Sequence, residues 1–286
     1  MRPLVLRSVL MATDLTDANL PALSAAAELS RLAGARLHVV HASPEASSRY
    51  DPPMAAHVRA AGIGDDLLAD WCVYPGPPDQ VIAAEASRVD ANLVVLGPHR
   101  LGGAYPTEGT AYRVVTASAV PCLVLRSPLT LPLGRVLVPI DASDASRGAL
   151  AVALSWGSAL RRRKGAGPFD PTRLVILHVA MRAEDAAGIV AAGVAAVQAR
   201  HAGAAGVAID QHVVEASDPA ASIVEHGEAD AVDLIVLGTR GTTARGARLG
   251  SVSAAVVQAT DRPVLLVPPA VWRELAPDHG GAGSAA

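Results

Sequence analysis

The chain has 286 residues, enough for two domains of ordinary size, and 51% of them are hydrophobic, which excludes an intrinsically disordered protein. Only 3% are aromatic and the formal net charge is −3, so the basic face and stacking rings of a nucleic-acid-binding surface are missing. Because no apolar run reaches the ~18 residues of a membrane span and no secretory leader is visible, we expect a cytoplasmic protein without membrane or nucleic-acid partners.

In chain order, short aliphatic runs alternate with helical patterns. In the first half we predict strands near 5–13, 36–42, 71–75, 92–97 and 121–126, and helices near 18–33, 55–69, 78–89 and 110–118. In the second half we predict strands near 135–140, 173–180, 209–215, 233–238 and 263–268, with helices over 186–199 and 252–259. This alternation predicts right-handed βαβ units and parallel sheet covered on both faces.

The two halves repeat each other. Residues 8–14 align with 135–141 at an offset of 127, residues 37–41 with 174–178 at 137, and residues 92–97 with 233–238 at 141. The ten-residue jump falls at a basic, Gly- and Pro-containing insert over 161–171, and a Pro-containing stretch over 127–134 links the halves. The repeat predicts two tandem domains, residues 1–127 and 134–270, followed by a C-terminal tail over 271–286.

A glycine-punctuated loop follows the fourth strand of each half and ends at the start of a helix. In the second half it runs from Gly238 through Gly241 to Gly250-Ser251, and it holds arginines and no acidic residue. Glycines let backbone N–H groups approach a ligand, and a helix N-terminus carries positive partial charge. The second half is therefore predicted to hold a phosphate cradle.

The same loop is degraded in the first half. Gly97 and Gly109-Thr110 keep the pattern, but Arg100 occupies the place of the second glycine, where its side chain would crowd a phosphate. Glu108 adds a like charge beside Gly109. We therefore expect the second half to be the better of the two candidate sites.

Taken together, these features resemble the universal stress proteins in a tandem two-domain form, over residues 7–268. The resemblance rests on Asp14 and Asp141 after the first strands, His41 and His178 at the ends of the second strands, and the glycine loops. It implies an α/β fold of two five-stranded parallel, doubly wound domains. These would be Rossmann-like, of the adenine nucleotide alpha hydrolase type, with strand order 3-2-1-4-5. It also implies, in one branch of the family, ATP bound between strands 1 and 4, with Mg²⁺ held through the phosphates.

The family's binding residues can be placed on this sequence. In the second half they fall on the first-strand wall, one strand-two residue, the loop and the helix start: Pro139, Ile140, Asp141, Val179, Gly238, Arg240, Gly241, Gly250, Ser251, Val252 and Ser253. In the first half a weaker set remains: Thr13, Asp14, Gly97, Gly109 and Thr110. The family pattern departs at one point, because eight residues (242–249) separate the last two glycines where the family has nine.

Alternatives remain open for the individual residues. The two aspartates could cap the helices that follow them. His41 and His178 are read as core histidines with satisfied hydrogen bonds, and the arginines at 240, 245 and 248 as either ligands or solvated loop residues. Searches for P-loop, nucleophile-elbow, zinc-protease and pyrophosphatase motifs find none, which predicts no catalytic residue, no metal ligand and no efficient enzyme.

Three hypotheses follow for the function. The first is a stress-response or signalling module that binds ATP in its second domain. The second is a nucleotide-free interaction or scaffold protein of the same fold, and the third is a weak ATPase or adenylate-handling enzyme. The resemblance also implies that the last strands of the two domains pair within the chain, while a homodimer stays open.

Overall fold

The computed structural model describes residues 5–45, 48–98, 109–160, 171–182, 186–200, 207–239 and 249–275. In the first half the helices and strands are β1 (Ser8–Ala12), α1 (Leu20–Ala33), β2 (Arg36–Ser43), α2 (Asp51–Ala60), β3 (Leu68–Pro75), α3 (Pro78–Arg88), β4 (Leu93–Leu96), α4 (Thr110–Ala117) and β5 (Cys122–Val124). In the second half they are β6 (Arg135–Pro139), α5 (Asp144–Ala159), β7 (Thr172–Ala180), α6 (Ala186–Arg200), β8 (Val207–Glu215), α7 (Pro219–Ala229), β9 (Leu234–Gly238), α8 (Ser251–Ala259), β10 (Val264–Val267) and α9 (Pro269–Leu275).

All ten strands form a single sheet in the order β3-β2-β1-β4-β5-β10-β9-β6-β7-β8. Within each half the strands are parallel and follow the order 3-2-1-4-5, which confirms the predicted fold class. The two halves meet where β5 pairs antiparallel with β10, with Val124 opposite Val264 and Cys122 opposite Leu266. The sheet therefore continues without a break from one half into the other.

A hydrophobic core lies on each face of the sheet. Successive residues of a strand point to opposite faces, so Leu10 and Met11 enter different cores, and both are fully buried. Helices α1, α2, α5, α6 and α9 contribute to one core, and α3, α4, α7 and α8 to the other. Burial on both faces explains why the strands are continuous Val, Leu and Ile runs.

The structure differs from the predicted elements in two places. The helix expected over 55–69 begins at Asp51 and ends at Ala60, so that prediction was wrong at its end. Gly62 takes a left-handed φ of 68°, which breaks the helix, and β3 already begins at Leu68. At the C-terminus, α9 continues to Leu275 with Trp272 buried, so packed structure extends beyond residue 270. The basic insert over 161–170 lies outside the described residues.

A side chain from the first half caps a helix of the second. Arg126 follows β5, and its Nη1 donates to the carbonyl oxygens of Gln258 at 2.8 Å and of Val257 and Thr260 at 3.3 Å. These groups lie at the C-terminal end of α8, where carbonyls lack helical partners and a cation is favoured. Ser127 adds a hydrogen bond from its hydroxyl to the Asp261 carbonyl at 2.6 Å.

Candidate functional site

The candidate site lies where β6 and β9 end, at the point where the strand order of the second half reverses. The two strands pair only through Val136 opposite Leu234 and Leu137 opposite Ile235. Pro139, the last residue of β6, has no N–H to donate to a neighbouring strand. The backbone pairing of these strands therefore ends at Leu137, and the crevice is the place beyond their carboxyl ends.

The same two strands stay paired to their ends in the first half. There β1 and β4 are in register over four pairs, from Val9 opposite Leu93 to Ala12 opposite Leu96. Ala12 is the counterpart of Pro139 in the repeat. The backbone ladder between these two strands is thus shorter in the second half, where proline stands at the position of Ala12.

Asp141 follows the last residue of β6 by two positions and is exposed. Its Oδ1 accepts a hydrogen bond from the Ser143 backbone nitrogen at 3.1 Å, which is its one side-chain hydrogen bond among the described residues. Ala142, between them, takes a left-handed φ of 64°, a conformation that is costly for a residue with a side chain. Ser143 itself caps α5 by accepting from the Ser146 nitrogen at 3.1 Å. Asp141 therefore does not serve as the helix cap.

The glycine loop is anchored at both described ends. The backbone nitrogen of Gly250 donates to the Thr239 carbonyl oxygen at 2.7 Å, and this hydrogen bond holds the two described ends of the loop together. Gly250 is the N-cap residue of α8, and the exposed Ser251 opens the helix. Ser253, one turn in, is buried, and its hydroxyl donates to the Gly238 carbonyl at 2.7 Å. The start of α8 thus faces the crevice at a fixed distance from β9.

Gly238 is required by packing. A Cβ built on it would lie 2.7 Å from the backbone carbon of Ala145 and 2.8 Å from the nitrogen of Ser146. The end of β9 therefore rests directly on the first turn of α5, which no larger residue allows. This contact holds the two helix starts, α5 and α8, on either side of the same strand end.

The strand-two residues complete the crevice wall. His178 is buried and its Nδ1 lies 2.6 Å from the Ile140 carbonyl oxygen, so the ring donates to the end of β6. The matching His41 contacts the Thr13 carbonyl oxygen in the same way at 2.9 Å. Both rings are core histidines with satisfied hydrogen bonds, as predicted. Val179, next along β7, is half-buried at the strand end.

In the first half polar and aromatic side chains lie at the corresponding place. His57 on α2 is buried, and its Nε2 lies 3.0 Å from the Thr13 hydroxyl at the end of β1. Tyr50 covers the neighbouring His41, with ring centroids 5.3 Å apart. In the second half the contact at this level is apolar, since a Cβ on Gly193 of α6 would lie 3.5 Å from the Ile140 Cδ1.

Asp14 is also more engaged than its counterpart Asp141. Its Oδ1 accepts from the Thr16 nitrogen at 3.0 Å, from the Thr16 hydroxyl at 2.7 Å and from the Asn19 amide at 2.5 Å. Gly97 is packed against Asn19 and Ala22 of the first helix, while a Cβ on Gly109, before Thr110 and α4, would meet open space. The first-half residues therefore serve local structure.

Several predicted residues lie outside the described part of the chain. These are Arg240, Gly241, Arg245 and Arg248 in the second half and Arg100 and Glu108 in the first. Conversely, the roles of His57 and of Arg126 were not predicted from the sequence. His57 could have been found by comparing the halves, because the repeat places it against Val194.

None of the helices in the described ranges has the length and apolar character needed to cross a lipid bilayer.

Comparison with known proteins agrees with the fold. Residues 132–268 match the model of the universal stress protein family. A universal stress protein from Archaeoglobus fulgidus DSM 4304 is 20% identical with a TM-score of 0.66, over 91% of this chain and 96% of its own. A functionally unknown protein from Pseudomonas aeruginosa PAO1 is 15% identical with a TM-score of 0.61, over 95% and 96%. At these identities the likeness concerns the fold alone.

A third solved structure matches about one half of the chain. It is the universal stress protein from Archaeoglobus fulgidus in complex with dAMP, 21% identical over 42% of this chain and 98% of its own, with a TM-score of 0.33. That TM-score supports no inference about a ligand of this chain. No curated protein sequence shows significant similarity to the chain.

Proposed function

We propose that this chain, which belongs to the universal stress protein family through residues 132–268, binds ATP with Mg²⁺ in its second half and acts as a stress-response or signalling module. The observation that carries the proposal is the reversal of strand order at β6 and β9, whose backbone pairing ends before Pro139, beside the start of α8. Ligands of open α/β sheets bind at such a place, and phosphates favour helix starts.

The residues around the crevice suit an adenine nucleotide. Val179 and Ile140 offer an apolar wall to the base, and Asp141 offers a carboxylate to the ribose hydroxyls. The N–H groups at the start of α8 and the hydroxyl of Ser251 would meet the phosphates. Mg²⁺, held through the phosphates, would offset their charge in a chain whose net charge is already −3.

Efficient turnover is not part of the proposal. His178 contacts the end of β6, and its Nδ1 is engaged with the Ile140 carbonyl oxygen. Binding without rapid hydrolysis would let ATP occupancy report the state of the cell. The pairing of β5 with β10 would then hold the two halves as one unit that responds together.

The proposal is tested by nucleotide titration with a matched pair of variants. ATP with Mg²⁺ at 100 times its dissociation constant should stabilise the native chain by about 2.7 kcal/mol in a thermal unfolding experiment. Asp141→Asn should weaken ATP binding at least tenfold, whereas Asp14→Asn, at the aligned place in the first half, should leave it unchanged. Calorimetry at low temperature keeps any loss of stability apart from the loss of affinity.

Two outcomes would contradict it. If millimolar ATP neither binds nor stabilises the protein, the nucleotide-free interaction protein becomes the better reading. If Asp14→Asn abolishes binding and Asp141→Asn does not, the site lies in the first half. Release of phosphate or AMP at more than trace rates would instead favour the adenylate-handling enzyme.

The glycine loop has its own test. Gly241→Arg copies the first half's arginine into the second half and should abolish ATP binding, because the long side chain would occupy the phosphate space. The matched control is Gly188→Ala on the exposed side of α6, where a Cβ meets open space. Unchanged ATP affinity in Gly241→Arg would show that the loop does not contact the phosphates.

A further inference from the structure

A cavity of about 550 Å³ lies at the amino ends of the first half's strands, opposite the ends at which the crevice lies. Its lining includes three arginines (Arg7, Arg36 and Arg88) together with His38 and Asn92. The volume is within the range of sites that hold small molecules. None of these residues belongs to the crevice at the carboxyl ends, which lies at the other end of the strands.

The second half offers an internal reference for this cavity. In the first half the Asn92 Oδ1 accepts hydrogen bonds from the backbone nitrogens of residues 7–8, at 2.8 and 3.1 Å. In the second half the Asp233 Oδ2 accepts from the nitrogens of residues 134–135, at 2.7 and 2.9 Å. Each side-chain oxygen thus holds two consecutive backbone nitrogens, an arrangement we call a clamp. The two clamps have the same geometry, but Asn92 is neutral and Asp233 carries a negative charge.

The neutral clamp has a second consequence. The Asn92 amide nitrogen has no hydrogen-bond partner among the residues the structure describes, so it remains a donor at the cavity lining. Asp233 has only oxygens at the same place and would repel an anion. Asn92 and Asp233 therefore make the same backbone hydrogen bonds, but Asn92 offers an anion a donor where Asp233 would repel it.

The arginine beside the clamp also differs between the halves. Arg36 and Arg173 are equivalent, because each lies opposite the first residue of the central strand, Ser8 or Arg135. The Arg173 Nη1 forms an ion pair with the Asp210 Oδ2 at 2.6 Å. Across the described part of the chain, Arg36 has no such partner.

Arg36 lacks this ion pair because Asp70, the first half's equivalent of Asp210, is already bonded to two other side chains. Asp70 lies opposite His38 in the strand register, as Asp210 lies opposite Val175. The Asp70 Oδ1 lies 2.5 Å from the His38 Nδ1, and its Oδ2 accepts from the Arg88 Nη2 at 2.7 Å. Val175 and Ala229 stand at the aligned positions of the second half and cannot donate a hydrogen bond from their side chains, so Asp210 pairs with Arg173.

Arg88 is also held by an ion pair with a residue of its own helix, α3. Buried Glu85, only 2% exposed, accepts from the Arg88 Nε at 2.8 Å and Nη2 at 2.6 Å. Ala229 occupies the equivalent place at the end of α7. His38 and Arg88 thus hold Asp70 in place, and the guanidinium groups of Arg7 and Arg36 stay without an ion pair among the described residues, at the cavity lining.

We propose that this cavity binds a small organic phosphate, with Arg7, Arg36 and the Asn92 amide as its phosphate ligands. Guanidinium groups match phosphate oxygens in a fork of hydrogen bonds, and two that lack an internal carboxylate are available for it. The lining carries three arginines and two aspartates, Asp70 and Asp90. The aligned positions of the second half carry two arginines and three aspartates, so the excess charge changes sign.

The test uses inorganic phosphate as the probe, titrated into the full chain by calorimetry at constant ionic strength. Asn92→Asp installs the second half's clamp, which is compatible with the fold there, and should weaken phosphate binding at least tenfold; Arg36→Ala should do the same. Asp233→Asn, the reciprocal change in the other half, should not weaken it. Gly241→Arg, which blocks the proposed ATP loop, should also leave it unchanged.

The proposal is overturned if millimolar phosphate does not bind, or if Asn92→Asp and Arg36→Ala bind it as the native chain does. It is overturned as well if binding vanishes in Gly241→Arg alone, because the phosphate would then sit in the second-half loop. Failure of ATP to bind would leave this site unaffected, so the two proposals fail separately.

Discussion

The Nε2 of His57 lies 3.0 Å from the Thr13 hydroxyl, and this contact joins α2 to the end of β1 in the first half. The same hydroxyl oxygen accepts the Leu15 N–H at 3.1 Å, which leaves its proton for the ring. The neutral imidazole therefore fits the site, and it occupies space that the second half leaves to apolar side chains.

This contact predicts a pH dependence of stability. Burial lowers the pKa of His57, with Asp14 and Asp17 opposing that shift. The folded chain then binds fewer protons at this site than the unfolded chain, whose histidine pKa is about 6.5. Its contribution to stability is complete above that pH and is lost as the pH falls from there through the lowered folded pKa, by at most ~1.4 kcal/mol per pH unit.

The measurement is the free energy of unfolding between pH 7.5 and 5 for the native chain and for His57→Gln. The variant should show a shallower decline on acidification, because glutamine does not titrate. His212→Gln makes the same substitution at an exposed place on β8 and serves as the control for the change of side chain. Equal slopes in the native chain and His57→Gln would contradict the assignment.

Gly238→Ala should destabilise the second half. The added methyl would lie within 2.8 Å of backbone atoms of α5, which cannot rotate away as a side chain would. Overpacking of this kind costs about 1–3 kcal/mol, to be measured by urea unfolding. Gly188→Ala is the matched control: its Cβ meets open space within a helix, so we expect a neutral or slightly stabilising effect. A Gly238→Ala protein as stable as the native chain would refute the close packing.

Arg126→Ala should loosen the joint between the halves. It removes three hydrogen bonds to carbonyls at the end of α8, and we expect a loss of about 1 kcal/mol because the side chain is one-third exposed. Hydrogen exchange should locate the loss at residues 256–260. Arg182→Ala, at an exposed place after β7, is the control. Unchanged protection at these amides would show that Arg126 does not cap the helix.

The two cysteines should react differently with a thiol reagent. Burial raises the pKa of Cys122 to about 12, and the side chain is 1% exposed, so its thiolate is neither formed nor reached. Cys72 on β3 is half-buried and should be modified in the native protein. Native protein is expected to titrate one thiol and unfolded protein two. Cys72→Ser should leave no reactive thiol before unfolding; rapid modification of that variant would contradict the burial of Cys122.

Much of the fold could be predicted because its signal is local. Runs such as those at β4 and β9 are apolar at every position, which indicates strands buried on both faces, and the repeat supplies each assignment twice. The helix ending at Ala60 was extended too far, because a pattern of apolar residues continues beyond Gly62 although the backbone cannot.

The candidate site was less predictable, since it depends on contacts between distant segments. The sequence placed Pro139 at the site as part of its wall, but the early end of the pairing between β6 and β9 is visible only in the strand register. Likewise, Asp14 and Asp141 look alike in the repeat, yet Asn19 and Thr16 engage the first and one backbone nitrogen the second.

By itself, then, the amino-acid sequence determined two α/β halves with strand order 3-2-1-4-5 and a glycine loop before α8. Hydrophobic periodicity and glycine positions are properties of short segments, so they can be recognised in the sequence without knowledge of contacts between distant residues. Only the tertiary structure decided that His57 contacts Thr13 at the end of β1 and that Asp70 is held by His38 and Arg88, leaving Arg36 without an ion pair among the described residues. Those outcomes depend on which side chains the fold brings within hydrogen-bond distance of Thr13 and Asp70. The spacing of residues along the sequence does not give that distance.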